Sequence, residues 1–255
     1  MSTATDARIP LWFKLVYTAF CAVLVPTYLL AYGPTNFLYF CDVALLTTLA
    51  AIWLESPLLA SAPAVGILLP QALWVVDFLA AAAGIRLTGL TAFMFDVKLP
   101  LFTRGLSLFH FWLPFMLAWL VWRLGYDRRA FAVWTVAAWV LLSVCYFLTP
   151  APPATIPNLP VNINCVFGMS DAAAQSFMPG PLWFMMLLVG LPAIIFYPTH
   201  CLLLRYAGKE SAGVEVTDGD ANSFRIGIWR RHLHAESGRT TPRLGRDADR
   251  QIRLR

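Results

Sequence analysis

Long apolar runs, separated by short polar or proline-bearing breaks, recur along most of this chain. A bilayer core takes about 20 mostly apolar residues per helix. Six segments meet that length, over approximately 12–32, 36–55, 60–84, 106–126, 131–149 and 181–206. Their hydrophobicity is continuous and does not alternate at period two, which argues against an outer-membrane barrel. Pro26, Pro70, Pro114 and Pro192 fall inside these runs, where neighbouring helices of a bundle can take up the freed backbone groups. The stretch 87–104 is apolar but short, and it carries Asp96, Lys98 and Pro100 late in its length. It is expected to be a re-entrant or interfacial element between spans three and four, with a seventh crossing as the alternative. The pattern therefore predicts an all-α membrane protein, a bundle of about six transmembrane helices over 1–207 with a polar tail over 208–255.

Composition sharpens the picture. Hydrophobic residues make up 59% of the 255 and charged residues 13%, with a mean hydropathy of +0.65. Soluble domains average roughly 45–50% apolar. Residues 205–255 hold 11 of the 19 Lys+Arg and 7 of the 14 Asp+Glu. Such a tail cannot bury a core, so it is expected to be disordered and to rest on anionic lipid. Its run 224–231 is a candidate interfacial amphipathic turn. No nucleic-acid-binding motif occurs there, and nucleic acid is not an expected partner.

Basic residues in the connections set the orientation. With the N-terminus inside, sixteen Lys+Arg face inward, including Arg8, Lys14, Arg123, Arg128 and Arg129. Three face outward, namely Arg86, Lys98 and Arg104. An even number of spans puts both termini in the cytoplasm of a bacterial inner-membrane protein. The loop 150–180, which holds no Lys or Arg, then faces out. The first apolar run is too long for a signal-peptide core and lacks a small-x-small cleavage site, so it reads as an uncleaved anchor. Lys14 is expected to snorkel from it toward the headgroups.

With that topology, ionisable groups at membrane depth become functional candidates. Cys41, Asp42, Asp77, His110, Cys145 and Tyr146 fall near the outer level, and Asn162, Asn164 and Cys165 lie in the outer loop. A thiol beside an imidazole is the minimum kit for nucleophilic catalysis, with a carboxylate to orient the ring. Cys41 fits as nucleophile and His110 as base. Asp42 adjoins Cys41 and points about 100° away on a helix, which makes Asp77 the better orienter. Asn162 and Asn164 supply amide donors for an oxyanion, with Tyr146 nearby for substrate, and the outer leaflet suggests a lipid ester or acyl group. The blander readings are a structural histidine, carboxylates paired to backbone, and Cys41 as a packing residue. Cys145 and Cys165 are either free or joined, and spacing does not decide between the two. No His-x-x-x-His, Cys-x-x-Cys, Walker loop, Gly-x-Gly-x-x-Gly or Gly-x-Ser-x-Gly is present, so neither metal nor cofactor is expected.

The order Phe40-Cys41-Asp42, Gly66 to Asp77, His110, Asn162-Ile163-Asn164 and Pro181-Leu182-Trp183-Phe184 resembles YwaF-type bacterial membrane proteins. Those are distantly similar to androgen-induced integral-membrane lipid hydrolases and to a cysteine-using acyltransferase branch. The resemblance spans most of 36–200 and implies Cys41 as nucleophile with His110 as its partner. The chain departs from the pattern in two places. Leu38 and Tyr39 precede Phe40 where a first His is usual, and Asn164-Cys165-Val166 half-matches an Asn-Tyr-Met element. The run 105–114 resembles one in other bacterial polytopic membrane proteins and implies no activity. Two further readings stand beside the lipid enzyme. One is a binding or transport protein with Asp42, Asp77 and His110 as a polar or proton-carrying site. The other is an assembly protein whose polar groups hold helices, or a protein partner, together.

Overall fold

The fold is taken from a computed structural model, which describes residues 8–156 and 159–210. The described residues form helices and loops with no strand. The principal helices are α1 (Leu11–Tyr32), α2 (Phe40–Leu54), α3 (Pro57–Ala82), α4 (Leu101–Leu106), α5 (Phe109–Leu124), α6 (Ala130–Leu148), α7 (Gly180–Leu191) and α8 (Tyr197–Glu210). Five uninterrupted or near-continuous stretches are long and apolar enough to cross a membrane: Leu11–Tyr32, Pro57–Ala82, Leu101–Leu124, Ala130–Leu148 and Gly180–Tyr206. The sixth pass, α2, has 15 residues, and a 3-10 turn over Pro34–Leu38 extends it. All six expected apolar segments are helical, five of them of membrane-spanning length and the sixth, α2, a shorter apolar helix. The segment expected to be re-entrant or interfacial is an irregular loop with a 3-10 turn at Ala92–Phe95, leading into α4. The tail from 211 onward lies outside the described residues.

α3 is the hub of the bundle, packing against α2, α5, α6 and α8. Its first half is rich in small residues, with Ala60, Ser61, Ala62, Ala64 and Gly66 all buried. Small residues let helix backbones approach closely where no hydrophobic force separates helix from lipid. Gly66 shows how tight this is. A Cβ there would overlap the Trp134 indole of α6, so the ring packs directly against the α3 backbone.

Two polar fastenings hold the ends together. At the basic end, Lys14 Nζ pairs with Glu55 Oε1 at 2.8 Å, while the Arg8 and Ile9 amides donate to the same carboxylate at 2.9 and 3.2 Å. Glu55 takes a left-handed conformation (φ 48°) at the end of α2 to reach them. Lys14 is thus buried against a partner (9% exposed), and the expected snorkelling gives way to an ion pair. Arg123 Nε completes this end by donating to the Arg8 carbonyl at 3.0 Å. In the last pass, Pro192 brings no N–H to the Leu188 carbonyl. The helix widens to a π turn over Pro192–Phe196, and Trp139 Nε1 of α6 donates to that carbonyl at 2.8 Å.

Gly66→Ala should destabilise the folded protein by about 1–3 kcal/mol through overpacking. Thermal unfolding in detergent would read this, and Trp134→Ala in the same chain should recover part of the loss. The Lys14 ammonium, aided by the Arg8 and Ile9 amides, holds the Glu55 carboxyl below its ordinary 4.5. Stability from this group is therefore full above that value and lost as pH falls through the lower folded-state value. A melting series should show wild type losing more than Glu55→Gln below pH 4.5. Equal slopes would remove Glu55 as a fastening.

Candidate functional site

The end of the bundle opposite the Glu55 fastening gathers the expected polar residues, and it does so in three separate groups. The first lies where α2 begins. Asp42 is buried (3% exposed), and its Oδ2 receives Asn36 Nδ2 at 3.5 Å and the Cys41 thiol at 3.7 Å. Its other oxygen, Oδ1, meets no hydrogen-bond partner. Although neighbours on a helix diverge, the Cys41 side chain folds back to reach the carboxylate.

The second group surrounds His110. A break in the helix between α4 and α5 places Ser107 one turn before His110, and His110 Nδ1 lies 2.8 Å from the Ser107 carbonyl. A carbonyl accepts only, so the geometry assigns the proton to Nδ1 and leaves the lone pair on Nε2. The ring stacks on Trp74 of α3 at 5.2 Å. Tyr28 from α1 meets Ser107 Oγ at 2.6 Å, and Ser107 Oγ donates to the Thr103 carbonyl at 3.1 Å. With its single proton so used, Ser107 accepts from Tyr28. Tyr28 thereby ties α1 to the turn that precedes His110. Sequence reasoning missed Tyr28 and Ser107, because a tyrosine and a serine in apolar runs are unexceptional until the fold brings them together.

The third group is structural in character. Asp77 accepts at Oδ1 from the Thr88 amide (2.7 Å), the Thr88 hydroxyl (2.8 Å) and the Gly89 amide (3.3 Å). Its Oδ2 accepts from the Thr91 amide and hydroxyl at 2.9 and 2.7 Å. Five donors from one loop saturate the carboxylate. Among the described residues no hydrogen bond joins Asp77, His110 and Cys41.

The outer-loop amides are also engaged. Asn164 Oδ1 accepts from the Phe40 amide at 3.0 Å, and its Nδ2 donates to the Leu38 carbonyl at 2.9 Å and toward Cys145 Sγ at 3.6 Å. It thereby pins the loop to the start of α2. Asn162 Nδ2 donates to the Gly168 and Ser170 carbonyls at 2.9 and 3.1 Å, and to Asp171 Oδ1 at 3.2 Å. Its Oδ1 accepts from the Phe167 amide at 2.8 Å. Asn162, Asn164 and Cys165 all sit at positive φ, a conformation Asn tolerates better than most residues. Tyr146 is stacked between Phe184 (4.4 Å) and Phe167 (5.4 Å). Cys145 and Cys165 are free thiols. Burial, followed by the Asp171 carboxylate, pushes the Cys165 thiol up, which leaves it protonated and inert at neutral pH.

No known family, curated protein or solved structure matches the chain. The geometry alone therefore carries the chemistry. Among the described residues no group of three or more His, Cys, Asp or Glu side chains is gathered as a metal would need.

Asp77→Ala should release the 88–91 loop. Hydrogen exchange at the Thr88, Gly89 and Thr91 amides should accelerate by tenfold or more, while exchange around His110 stays as in wild type. A change centred on His110 instead would restore Asp77 as an orienter of the imidazole.

Proposed function

We propose that this multi-pass membrane protein, so read from its apolar helices, sits in a bacterial inner membrane with both termini cytoplasmic, and that it binds or carries a polar solute or proton through Asp42 and His110. The orientation rests on the sixteen-to-three division of basic residues. The function rests on one observation. Asp42 is buried with one oxygen satisfied and the other, Oδ1, unpartnered. An isolated buried carboxylate costs several kcal/mol unless it binds a proton or a donor. His110, whose Nδ1 is held by the Ser107 carbonyl, offers Nε2 as a second proton acceptor at the same end of the bundle. Asp77 has no part in this reading, since its five donors leave it no capacity.

A lipid ester hydrolase or acyltransferase is the second reading. It is favoured by the Cys41 thiol, which donates to Asp42 Oδ2 at 3.7 Å, a carboxylate placed to receive its proton. It requires His110 to turn from the Ser107 carbonyl toward the thiol. In that reading membrane lipid is the partner and the substrate. Labelling of Cys41 by a lipid-soluble acyl probe, lost in His110→Ala, would support it.

Proteoliposomes loaded with a pH-sensitive dye and held at a potassium diffusion potential test the first reading. Wild type should carry protons above empty vesicles, Asp42→Asn should lower the flux by tenfold or more, and Cys201→Ser should leave it unchanged. Wild-type flux equal to that of empty vesicles, or flux indifferent to Asp42→Asn, would overturn the proposal.

A further inference from the structure

One side chain of the bundle interior takes no part in any contact described above. Gln71 of α3 is 4% exposed, and both its Nε2 and its Oε1 are without a hydrogen-bond partner. Leaving both ends of a buried amide unpaired is unfavourable, so such a residue points to a ligand. Its place in the fold agrees. α2 and α3 form an antiparallel hairpin about Glu55 and Ser56. Counted from that turn at about 1.5 Å per residue, Asp42 and Gln71 lie at about 18 and 21 Å, on one level of the bundle. Gln71 also precedes Trp74 by three residues, which puts the two on one helix face, and Trp74 is the residue stacked on His110.

Six buried polar side-chain atoms are without partners among the described residues, and three of the six belong to this pair of residues: two acceptors, Asp42 Oδ1 and Gln71 Oε1, and one donor, Gln71 Nε2, the others being Thr35 Oγ1, Arg104 Nε and Trp134 Nε1. The ligand that satisfies all three has at least two N–H donors, one oxygen acceptor and a positive charge for the carboxylate. Basic side chains do not supply that charge. Among the described residues the ion pairs are Lys14–Glu55 and Arg129–Asp127, and none reaches Asp42.

We propose that Asp42 and Gln71 form a binding site for a small protonated amine bearing a neighbouring hydroxyl, of the 2-amino-alcohol type. The ammonium is held by Asp42 Oδ1 and Gln71 Oε1, and Gln71 Nε2 donates to the ligand oxygen. This inference rests on the reading of Asp42 as a binding carboxylate and adds the ligand class and the residue that selects it. The same chemistry occurs in a free amino-alcohol and in the headgroup of an ethanolamine phospholipid.

The test uses the full chain in phosphatidylcholine nanodiscs with radiolabelled ethanolamine and, separately, ethylamine, which lacks the oxygen. Wild type should bind ethanolamine saturably and about tenfold more tightly than ethylamine. Gln71→Leu should erase that preference, Gln71→Glu should tighten both amines, and Asp42→Asn should abolish binding. Thermal unfolding of each variant establishes that it is folded. Competition by phosphatidylethanolamine added to the nanodisc would identify the headgroup as the source, and no competition would identify the free solute. Absence of saturable ethanolamine binding by folded wild type, or an ethanolamine preference that survives Gln71→Leu, overturns the assignment. Proton flux that still depends on Asp42 while ethanolamine fails to bind would sink the amine site alone. Loss of both would sink the carboxylate reading with it.

Discussion

Hydrocarbon offers no hydrogen-bond partner, so every polar atom carried into the bilayer has to be satisfied from within the chain. Most of this structure can be read as a response to that constraint. Where Pro192 withholds an N–H, Trp139 of a neighbouring helix supplies one to Leu188. Where the Asp77 carboxylate enters α3, the following loop folds back to surround it with five donors. Where α2 begins in a tight turn, the Asn164 amide satisfies the Leu38 carbonyl and the Phe40 amide together. The same constraint separates structure from candidate function. Groups that the fold has saturated hold it together, and Asp42 Oδ1 and the Gln71 amide are among the few buried groups it leaves open.

The two ends of the bundle solve the charge problem differently. At the basic end, Lys14 and Glu55 neutralise one another, and the backbone of Arg8 and Ile9 completes the carboxylate. Removing one member there leaves an uncompensated partly buried charge, which costs more than the pair contributes. At the opposite end Asp42 has an amide and a thiol as neighbours but no cation. That asymmetry makes one carboxylate a fastening and the other a candidate site, although both are single acidic residues at the edge of an apolar run.

Catalysis by Cys41 and His110 would ask more of the arrangement than binding does. A thiolate needs a nearby positive charge, and Cys41 faces a carboxylate instead. An imidazole base needs its free nitrogen within reach of the thiol, and His110 is anchored through Nδ1 to the backbone of its own helix. The oxyanion donors expected from Asn162 and Asn164 are spent on loop carbonyls and on the start of α2. A binding role for Asp42 needs none of these to move.

The sequence by itself determined the helical class and its six apolar segments, because a continuous apolar run of bilayer length has few other physical solutions. It also carried the uneven division of basic residues between the connections, since that is a count along the chain. It marked Cys41, Asp42, Asp77 and His110 as residues that burial makes expensive. Their roles were not legible, because a role depends on which atoms a side chain meets across helices. Asp77 and Asp42 are alike in sequence, each an aspartate in an apolar run. One is enclosed by a loop 11–14 residues onward, and the other is left with an open oxygen. Gln71 is an ordinary polar residue in the sequence and becomes informative only once helix packing buries it without a partner. Tertiary structure decided these points because hydrogen bonds in a bundle are made between segments whose separation in the chain says nothing about their distance in space.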